Sequence, residues 1–306
     1  MADWLENWIV AQAIHRIFHE QPNPYTQKTK DQKMRVCIAG KNRIAVDSLR
    51  FISKNHPSNE FLVIANRTDQ GHDGSQPSFK KAAAQLGIEL IELGALAKSH
   101  VDLFISLEFD RIIKAEHIEG CRAYNIHFSL LPRYRGVYTS AWPILNGESH
   151  SGVSLHEIDS GIDTGPIVDQ ARFALSTDET AESLYEKYQT QGILLLQKNL
   201  PALLDGTAIG KPQGEGATYF SKASIDYANL NIDCNVTAEE LSRQLRAFYF
   251  PAFQVPTVEG FQLSTPRITD HQSVHPPGFI VERSATQVVI ATKTFDLVCD
   301  LFPSAE

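Results

Sequence analysis

An amide, an imidazole and a carboxylate occur within one stretch of the sequence, residues 121–166. Asn125 and His127 lie two positions apart in an apolar run typical of a strand, and residues i and i+2 of a strand point to the same face. A run rich in Pro, Arg and Gly follows. A second predicted strand, residues 152–158, ends in a glycine-containing turn that carries Asp163. We therefore predict that this turn brings the Asp163 carboxylate back toward the first strand.

These three groups suit acyl transfer without a covalent enzyme intermediate. An imidazole moves a proton near neutral pH, and an amide N–H stabilises an oxygen that becomes negative in a tetrahedral intermediate. A carboxylate orients the imidazole and assists proton movement, as the third member of a triad does, so we expect Asp163 to help remove the proton of the attacking group. The stretch has no Ser or Cys placed as an obvious nucleophile, so the acceptor is expected to supply its own.

Two other interpretations of the same residues stay open from the pattern alone. An Asn-x-His pair on a strand is also typical of a hydrogen-bonded pair near a sheet end. His156, Asp159 and Asp163 are residue types that bind zinc, although no second His or Cys lies at ligand spacing.

The combined motifs resemble a known family. N-x-H, S-L-L-P-x-Y-R-G and D-x-G-x-D-T-G occur in the order and spacing of the formyltransferases that use N10-formyltetrahydrofolate, and the similarity covers residues 34–206. The resemblance implies that Asn125, His127 and Asp163 are catalytic, that N10-formyltetrahydrofolate is the cosubstrate and that no metal is needed. Acceptors in this family include methionyl-tRNA, glycinamide ribonucleotide and amino sugars.

The composition is that of an ordinary globular protein. The chain has 306 residues and a formal net charge of −8, which disfavours a polyanionic partner such as nucleic acid. We find neither a signal peptide nor an apolar run long enough to span a bilayer. The four cysteines are far apart and form no C-x-x-C pair, so we expect buried free thiols and a cytoplasmic location. They are Cys37, Cys121, Cys234 and Cys299.

Residues 1–33 form a separate predicted segment. Apolar residues in residues 1–20, including Leu5, Trp8 and Phe18, follow the helical period and predict an amphipathic helix. Residues 21–33 contain prolines and many polar groups, as a linker does. The alternative is that Met34 is the true start of the protein.

Residues 34–206 are predicted to form the catalytic domain, an α/β fold. Apolar strand-like runs alternate with helical periods, which predicts a Rossmann-like, mostly parallel sheet flanked by helices. The first turn lacks G-x-G-x-x-G, so a dinucleotide site is not expected. The predicted strands are 35–40, 61–66, 88–90, 101–107, 123–128 and 152–158; the predicted helices are 44–54, 78–86, 140–146 and 179–204.

Residues 207–306 are predicted to form a small β-rich appendage. Five glycines and prolines mark a linker after residue 205. Thr237 and Glu240 have the spacing of a capping box for a helix over 237–247. Short strands are predicted at 260–268, 278–283, 287–291 and 294–299.

The resemblance implies that the segment after the fourth predicted strand lines the folate pocket. It contributes backbone groups and apolar side chains; the alternative is a plain connection from strand to helix. The residues assigned to the folate are Phe109, Arg111, Ile112, Ile113 and Asp159.

The acceptor is not fixed by family membership. A methionyl-tRNA enzyme needs a basic C-terminal domain to neutralise phosphates, but residues 207–306 contain seven Lys plus Arg against eleven Asp plus Glu. Glycinamide ribonucleotide enzymes end near the long helix, and formyltetrahydrofolate hydrolases have a larger domain before the triad. A non-enzymatic ligand sensor would leave the three polar groups without a purpose.

Sugar N-formyltransferases resemble this chain in three further places. These are the turn into the first helix, the run P-S-F-K-K and the run R-A-F-Y-F-P. The implied acceptor is a dTDP-linked amino-dideoxy sugar with its amine at C3 or C4, used in cell-surface polysaccharide (O-antigen) synthesis, and we expect a homodimer. The candidate acceptor contacts are Asn42, Lys80, Tyr219 and Arg246, with Lys81 a further candidate cation. The alternative for Lys80 and Arg246 is that they are solvated cations on the surface.

Overall fold

The computed structural model describes residues 33–303. The amphipathic helix predicted for residues 1–20 lies outside this range, as does the predicted linker apart from its last residue.

A seven-stranded mixed sheet lies at the centre of the fold. Its strands, with the short β6 that stands apart from it, are β1 (Arg35–Gly40), β2 (Glu60–Ala65), β3 (Glu89–Leu90), β4 (Leu103–Leu107), β5 (Arg122–His127), β6 (Arg135–Gly136), β7 (His150–Glu157) and β8 (Ile167–Ala174). The order across the sheet is β3-β2-β1-β4-β5-β7-β8. The five strands from β3 to β5 run parallel, whereas β7 and β8 are antiparallel to their neighbours. The predicted mostly parallel sheet is confirmed.

Helices cover both faces of this sheet. The α-helices are α1 (Asn42–Asn55), α2 (Phe79–Gln85), α3 (Trp142–Leu145) and α4 (Ala181–Asp205). All four bury apolar side chains in one cluster on one face. The 3₁₀ helix Leu93–Ser99 packs into a smaller cluster on the opposite face, where the short 3₁₀ helix Ala115–His117 lies beside it.

The long helix α4 is specified at both ends and along its buried side. Thr180 caps it, because its side chain accepts from the backbone N–H of Ser183. Gly206 ends it in the left-handed conformation, with φ of 69°. Within the helix, the Tyr188 hydroxyl lies 2.6 Å from the Ser151 hydroxyl of β7. This buried bond fixes α4 against the strand that contributes to the site.

Residues after α4 continue into a second sheet that shares the core of the first. Its strands form a five-stranded antiparallel sheet, in the order β10-β11-β14-β13-β12. The elements are β9 (Tyr219–Phe220, paired with β6), α5 (Ala238–Ala247), β10 (Thr257–Val258), β11 (Phe261–Ile268), β12 (Ile280–Arg283), β13 (Gln287–Ile290) and β14 (Leu297–Leu301). The capping box of Thr237 and Glu240 is present at α5, as predicted. Apolar side chains of both sheets belong to one continuous cluster.

The structure adds one long strand that the sequence analysis does not predict. Strand β8 follows the loop of Asp163 and pairs along the whole of β7. Its side chains alternate between partly buried and exposed, and Asp169, Gln170 and Arg172 interrupt its apolar pattern. The apolar signal is therefore weak, and the antiparallel ladder supplies the stability that the local sequence lacks.

All four cysteines are free thiols, as predicted, and three are buried. Burial raises the pKa of Cys121 to about 12, and that of Cys299 likewise to about 12. Among the helices in residues 33–303, none is both long enough and apolar enough to cross a membrane.

A matched pair of leucines on α4 tests the packing of the core. Leu196 is 1% exposed and Leu194 is 52% exposed. We expect Leu196→Ala to lower the free energy of unfolding by about 2–5 kcal/mol, because it leaves a cavity, and Leu194→Ala to change it by about 0.5 kcal/mol or less. Urea unfolding measures both, and equal losses would contradict the assigned orientation of the helix.

Candidate active site

Strand β5 presents Asn125 and His127 on the face opposite the long helix. Their neighbours Tyr124 and Ile126 point into the larger apolar cluster, so alternation turns the two polar side chains to the other face. Strand β7 runs antiparallel beside them, and His156 is paired directly with Asn125. Three polar side chains therefore meet at this edge of the sheet.

His127 has an oxygen atom beside each of its ring nitrogens. Nε2 lies 2.8 Å from the carbonyl oxygen of Tyr134, and a carbonyl only accepts, so Nε2 carries a proton. Nδ1 faces Oδ2 of Asp163 at 3.5 Å. The ring is therefore held by one hydrogen bond through Nε2, with the carboxylate of Asp163 beside Nδ1.

His156 orients the amide of Asn125. Its Nδ1 lies 2.7 Å from the carbonyl of Glu157 and therefore donates to it. Its Nε2 lies 3.1 Å from Nδ2 of Asn125 and accepts from that amide. One amide hydrogen is used in this way, and the second is left for an oxygen of a ligand.

The Asp163 carboxylate lies between the two histidines. Oδ1 is 3.6 Å from Nε2 of His156, and Oδ2 accepts from the backbone N–H of Gly136 at 2.8 Å. Burial acts to raise its pKa. The charge of His127, the contacts with His156 and the N–H of Gly136 outweigh that effect and hold the pKa well below its usual range. The carboxylate is therefore an anchored negative charge.

Two glycines permit the close approach of backbone that this geometry needs. Gly136 has φ of 94°, and a Cβ there would lie 2.1 Å from the carbonyl oxygen of Phe220. In the loop after β7, a Cβ on Gly165 would lie 1.9 Å from the carbonyl oxygen of Glu157. Side chains at either position would push the loops apart and displace Asp163.

Gln213, from the segment after α4, joins the two loops of the site. Its amide donates to the backbone carbonyls of Asp163 and Gly165, each at 2.8 Å. Its Oε1 accepts from Arg135 at 2.7 and 3.1 Å. The sequence analysis missed this residue, since a lone glutamine in a linker carries no recognisable signal.

The arrangement provides an oriented amide, an oriented imidazole and a fixed carboxylate at one point. Such a set stabilises developing negative charge on a carbonyl oxygen and supplies a proton to a leaving group. Within residues 33–303, no group of His, Cys, Asp and Glu is arranged to hold a metal ion. Asp159 instead closes its own loop by accepting from Thr164 and Gly161.

Four of the predicted folate residues follow β4, namely Phe109, Arg111, Ile112 and Ile113, whereas the fifth, Asp159, follows β7. The Arg111 guanidinium lies 4.7 Å from the centre of the Phe109 ring and donates to the carbonyl of Ala65 at the end of β2. Ile113 packs against the smaller apolar cluster. Ile112 is 72% exposed, so it offers an apolar surface to a ligand.

Asn42 belongs to a hydrogen-bonded chain that the sequence analysis did not identify. Its amide donates to the Tyr185 hydroxyl at 2.6 Å, and that hydroxyl donates to Oε2 of Glu108 at 2.9 Å. Burial raises the pKa of Glu108 to about 7, although Lys41, Tyr185 and Asn42 act to lower it. Tyr185 lies in α4, far from both partners in sequence.

The other predicted acceptor residues are spread over three elements. Tyr219 is exposed on β9, and its ring lies next to Gly136. Lys80 lies in the first turn of α2, where its backbone N–H donates to Asp69. Arg246 donates to the carbonyl of Glu179 and lines a cavity of about 150 Å³ with residues of α5 and β11. Asn125, His127 and Asp163 do not line that cavity.

Comparisons with known proteins agree on one family. The sequence profile described as "Formyl transferase" matches residues 25–200. A methionyl-tRNA formyltransferase from Myxococcus xanthus is 29% identical over 291 residues, which is 89% of this chain and 91% of that protein.

Two solved structures are similar over nearly the whole chain. An N-formyltransferase from Helicobacter canadensis, in complex with folinic acid and dTDP-3-aminofucose, has a TM-score of 0.80 and 36% identity; the match covers 88% of this chain and 100% of that one. WlaRD, a sugar 3N-formyl transferase determined in the presence of dTDP and 5-N-formyl-THF, has a TM-score of 0.79 and 34% identity, over 90% of this chain and 100% of that one.

The low pKa of Asp163 predicts how the stability of the protein depends on pH. The folded pKa lies below the ordinary value of 3.8, so the stability contributed by this charge is present above pH 3.8 and is lost as the pH falls through the folded pKa. We expect Asp163→Asn to unfold more easily than wild type at pH 7, with a difference that narrows below pH 3.8. Urea unfolding at pH 7 and below pH 3.8, with the half-buried Asp47→Asn on α1 as control, measures this difference. An Asp163→Asn variant as stable as wild type at pH 7 would contradict it.

Proposed function

This chain belongs to the formyl transferase family, and from that premise we propose that it transfers a formyl group from N10-formyltetrahydrofolate to the amine of a dTDP-linked 3-amino- or 4-amino-dideoxy sugar. The observation that carries the acceptor class is the similarity to two sugar N-formyltransferases. They match at 36% and 34% identity over their full lengths.

His127 acts as the general acid in the proposed reaction. Its Nε2–H stays on the carbonyl of Tyr134, so the ring is fixed and the mobile proton is the one on Nδ1. The 3.5 Å distance from Nδ1 to Asp163 is longer than a good hydrogen bond. That proton is therefore available to the formyl oxygen or, as the bond breaks, to N10 of the folate.

Asn125 and Asp163 support this step electrostatically. The free amide hydrogen of Asn125 donates to the formyl oxygen as it gains negative charge, while His156 holds the amide in position. The anchored carboxylate of Asp163 stabilises the imidazolium of His127 and keeps its Nδ1 edge toward the substrate. No covalent enzyme intermediate is required, because the acceptor amine is the nucleophile.

The segment after β4 suits the flat ring system of the folate. Ile112 offers an exposed apolar side chain, and Phe109 lies beneath the Arg111 guanidinium. Buried Asn66 fixes the turn by binding the carbonyl of Glu108 and the N–H of Asp110. We propose that backbone groups of this rigid turn bind the polar edge of the pterin.

Methionyl-tRNA is the second candidate acceptor, because the Myxococcus xanthus relative of that name covers 89% of this chain. The charge of residues 207–306 argues against it, with seven Lys plus Arg and eleven Asp plus Glu. For the sugar acceptor, Asn42 and Tyr219 are proposed contacts of the sugar and base. Lys80 and Arg246 stay the proposed cations for the pyrophosphate.

A panel of acceptors tests the proposed function. Purified protein and N10-formyltetrahydrofolate are incubated separately with dTDP-3-amino sugars, dTDP-4-amino sugars and methionyl-tRNA, and formylated products are measured by mass spectrometry. We expect product with at least one amino sugar, inhibition by dTDP alone and no formylmethionyl-tRNA. Formylation of methionyl-tRNA at a comparable rate, without competition by dTDP, would overturn the sugar acceptor.

Substitutions at the three polar residues test the assigned roles. We expect Asn125→Ala to lower kcat by about 10²–10³-fold, as loss of an oxyanion donor does, and His127→Ala by about 10²–10⁴-fold, as loss of a general acid does. Asp163→Ala should also lower kcat strongly. His150→Ala, which removes an exposed imidazole at the start of β7, is the control. Near-normal turnover by His127→Ala, with normal folding by circular dichroism, would reject the assignment.

A further inference from the structure

The order of the central strands reverses between β1 and β4. Strands β2 and β3 lie to one side of β1, and β4 and β5 lie to the other. In open α/β sheets, ligands bind in the crevice at the carboxyl ends of the two strands that flank such a reversal. Asn42 follows β1 and Glu108 follows β4, so these two residues flank the crevice.

Both residues have unusual backbone conformations. Asn42 has φ of 61° and Glu108 has φ of 57°, in the left-handed region that side chains other than glycine rarely adopt. Such conformations cost free energy and cluster at functional sites. At Glu108 this conformation directs the side chain toward α4, where it accepts from the Tyr185 hydroxyl. The carboxylate therefore lies on the face of the sheet against which α1 and α4 pack.

Glu108 also lies beside the chemistry of β5. Leu107 is paired with Ile126 in the parallel ladder, so the residue after Leu107 is level with His127 on the adjacent strand. Adjacent strands lie about 4.8 Å apart. The Glu108 carboxylate turns toward α4, whereas the His127 ring turns to the opposite face of the sheet. A ligand that crosses the carboxyl edge from the crevice between α1 and α4 therefore passes Glu108 before it reaches His127.

The proposed reaction needs a group that frees the acceptor amine of its proton. An aliphatic amine is mostly protonated at neutral pH and attacks only as the free base. Asp163 is poorly suited to take this proton, because its oxygens contact Gly136, His127 and His156 and its low pKa makes it a weak base. The mechanism described above therefore names no residue that takes a proton from the ammonium group before the amine attacks.

We propose that the Glu108 carboxylate binds the ammonium group of the acceptor and takes one proton from it before the amine attacks the formyl carbon. This inference rests on the proposed function. One N–H bond of the ammonium breaks, the carboxylate becomes a carboxylic acid and the amine uses the freed electron pair to form the new C–N bond. The attached nitrogen then loses its second proton to His127, which has given its own proton to N10 of the folate. The acid returns its proton to solvent after the product leaves.

The surroundings of Glu108 are consistent with this role. Its pKa of about 7 is close to the value at which a general base works best in neutral solution. The ionisable groups that act on it are Lys41 beside the start of α1 and Tyr185 on α4, and Arg43 acts in turn on Tyr185. Tyr185 and Asn42 hold one side of the carboxylate, which fixes its direction.

Glu108→Gln is the direct test, because it keeps the shape and the acceptor for Tyr185 but removes the base. With N10-formyltetrahydrofolate and the best dTDP-amino sugar, we expect kcat/KM for the sugar to fall by about 10²–10⁴-fold at pH 7, with KM for the folate unchanged. The defect should shrink as the pH rises and more of the amine is free in solution. Glu116→Gln, an exposed carboxylate near Lys114, should match wild type.

A second variant keeps the carboxylate and changes its environment. Tyr185→Phe removes the hydroxyl that donates to Glu108, so the charged form is less stabilised and the acidic limb of the kcat/KM profile should move to higher pH. Thermal melts at pH 8 should find Glu108→Gln at least as stable as wild type, since it removes a buried charge.

The outcomes separate the inference from its premise. A wild-type protein that formylates none of the dTDP-amino sugars overturns the proposed function, and this inference with it. An active wild type together with a Glu108→Gln variant of unchanged kcat/KM and unchanged pH profile overturns the inference alone. If Glu108→Gln does not fold, a Tyr185→Phe profile identical to that of wild type overturns it.

Discussion

The antiparallel pairing of β7 with β5 is the constraint on which the site depends. Because β7 runs back along β5, His156 comes to lie directly opposite Asn125, and β7 ends beside the start of β5, where the N–H of Ile158 donates to the carbonyl of Ala123. The loop of residues 159–166 then folds back along the strands and brings the Asp163 carboxylate to His127. The register of this pair of strands therefore sets the positions of Asn125 and His156 and the point from which the loop of Asp163 starts.

Two carboxyl groups at this edge have pKa values displaced in opposite directions. Asp163 has the N–H of Gly136 and two imidazoles around it, and its pKa is lowered. Glu108 has mainly burial acting on it, and its pKa rises to about 7. Environments that separate the pKa values of neighbouring carboxyls allow one to stay charged while the other exchanges a proton. The fold thus provides a permanent charge after β7 and a titrating group after β4.

The sequence was most informative where function is local and least where it is assembled from distant segments. Asn125 and His127 share a strand, so their common face follows from alternation alone. The roles of His156, Tyr185 and Gln213 depend on strand register and on contacts between elements, none of which a single sequence specifies. Strand β8 was missed because polar residues interrupt its apolar pattern, although β7 supplies a complete ladder for it.

The segment after α4 shows why the site cannot be separated from the residues that follow it. Thr218 holds Tyr134 through its hydroxyl, at 2.7 Å from the backbone N–H, and β9 pairs with β6. Gln213 bridges the two loops that carry the carboxylate and its N–H donor. A change in this segment therefore acts on the orientation of Asp163 and His127 together. Substitutions in this segment change catalysis without altering a reacting group, because they move the residues that hold Asp163 and His127 in position.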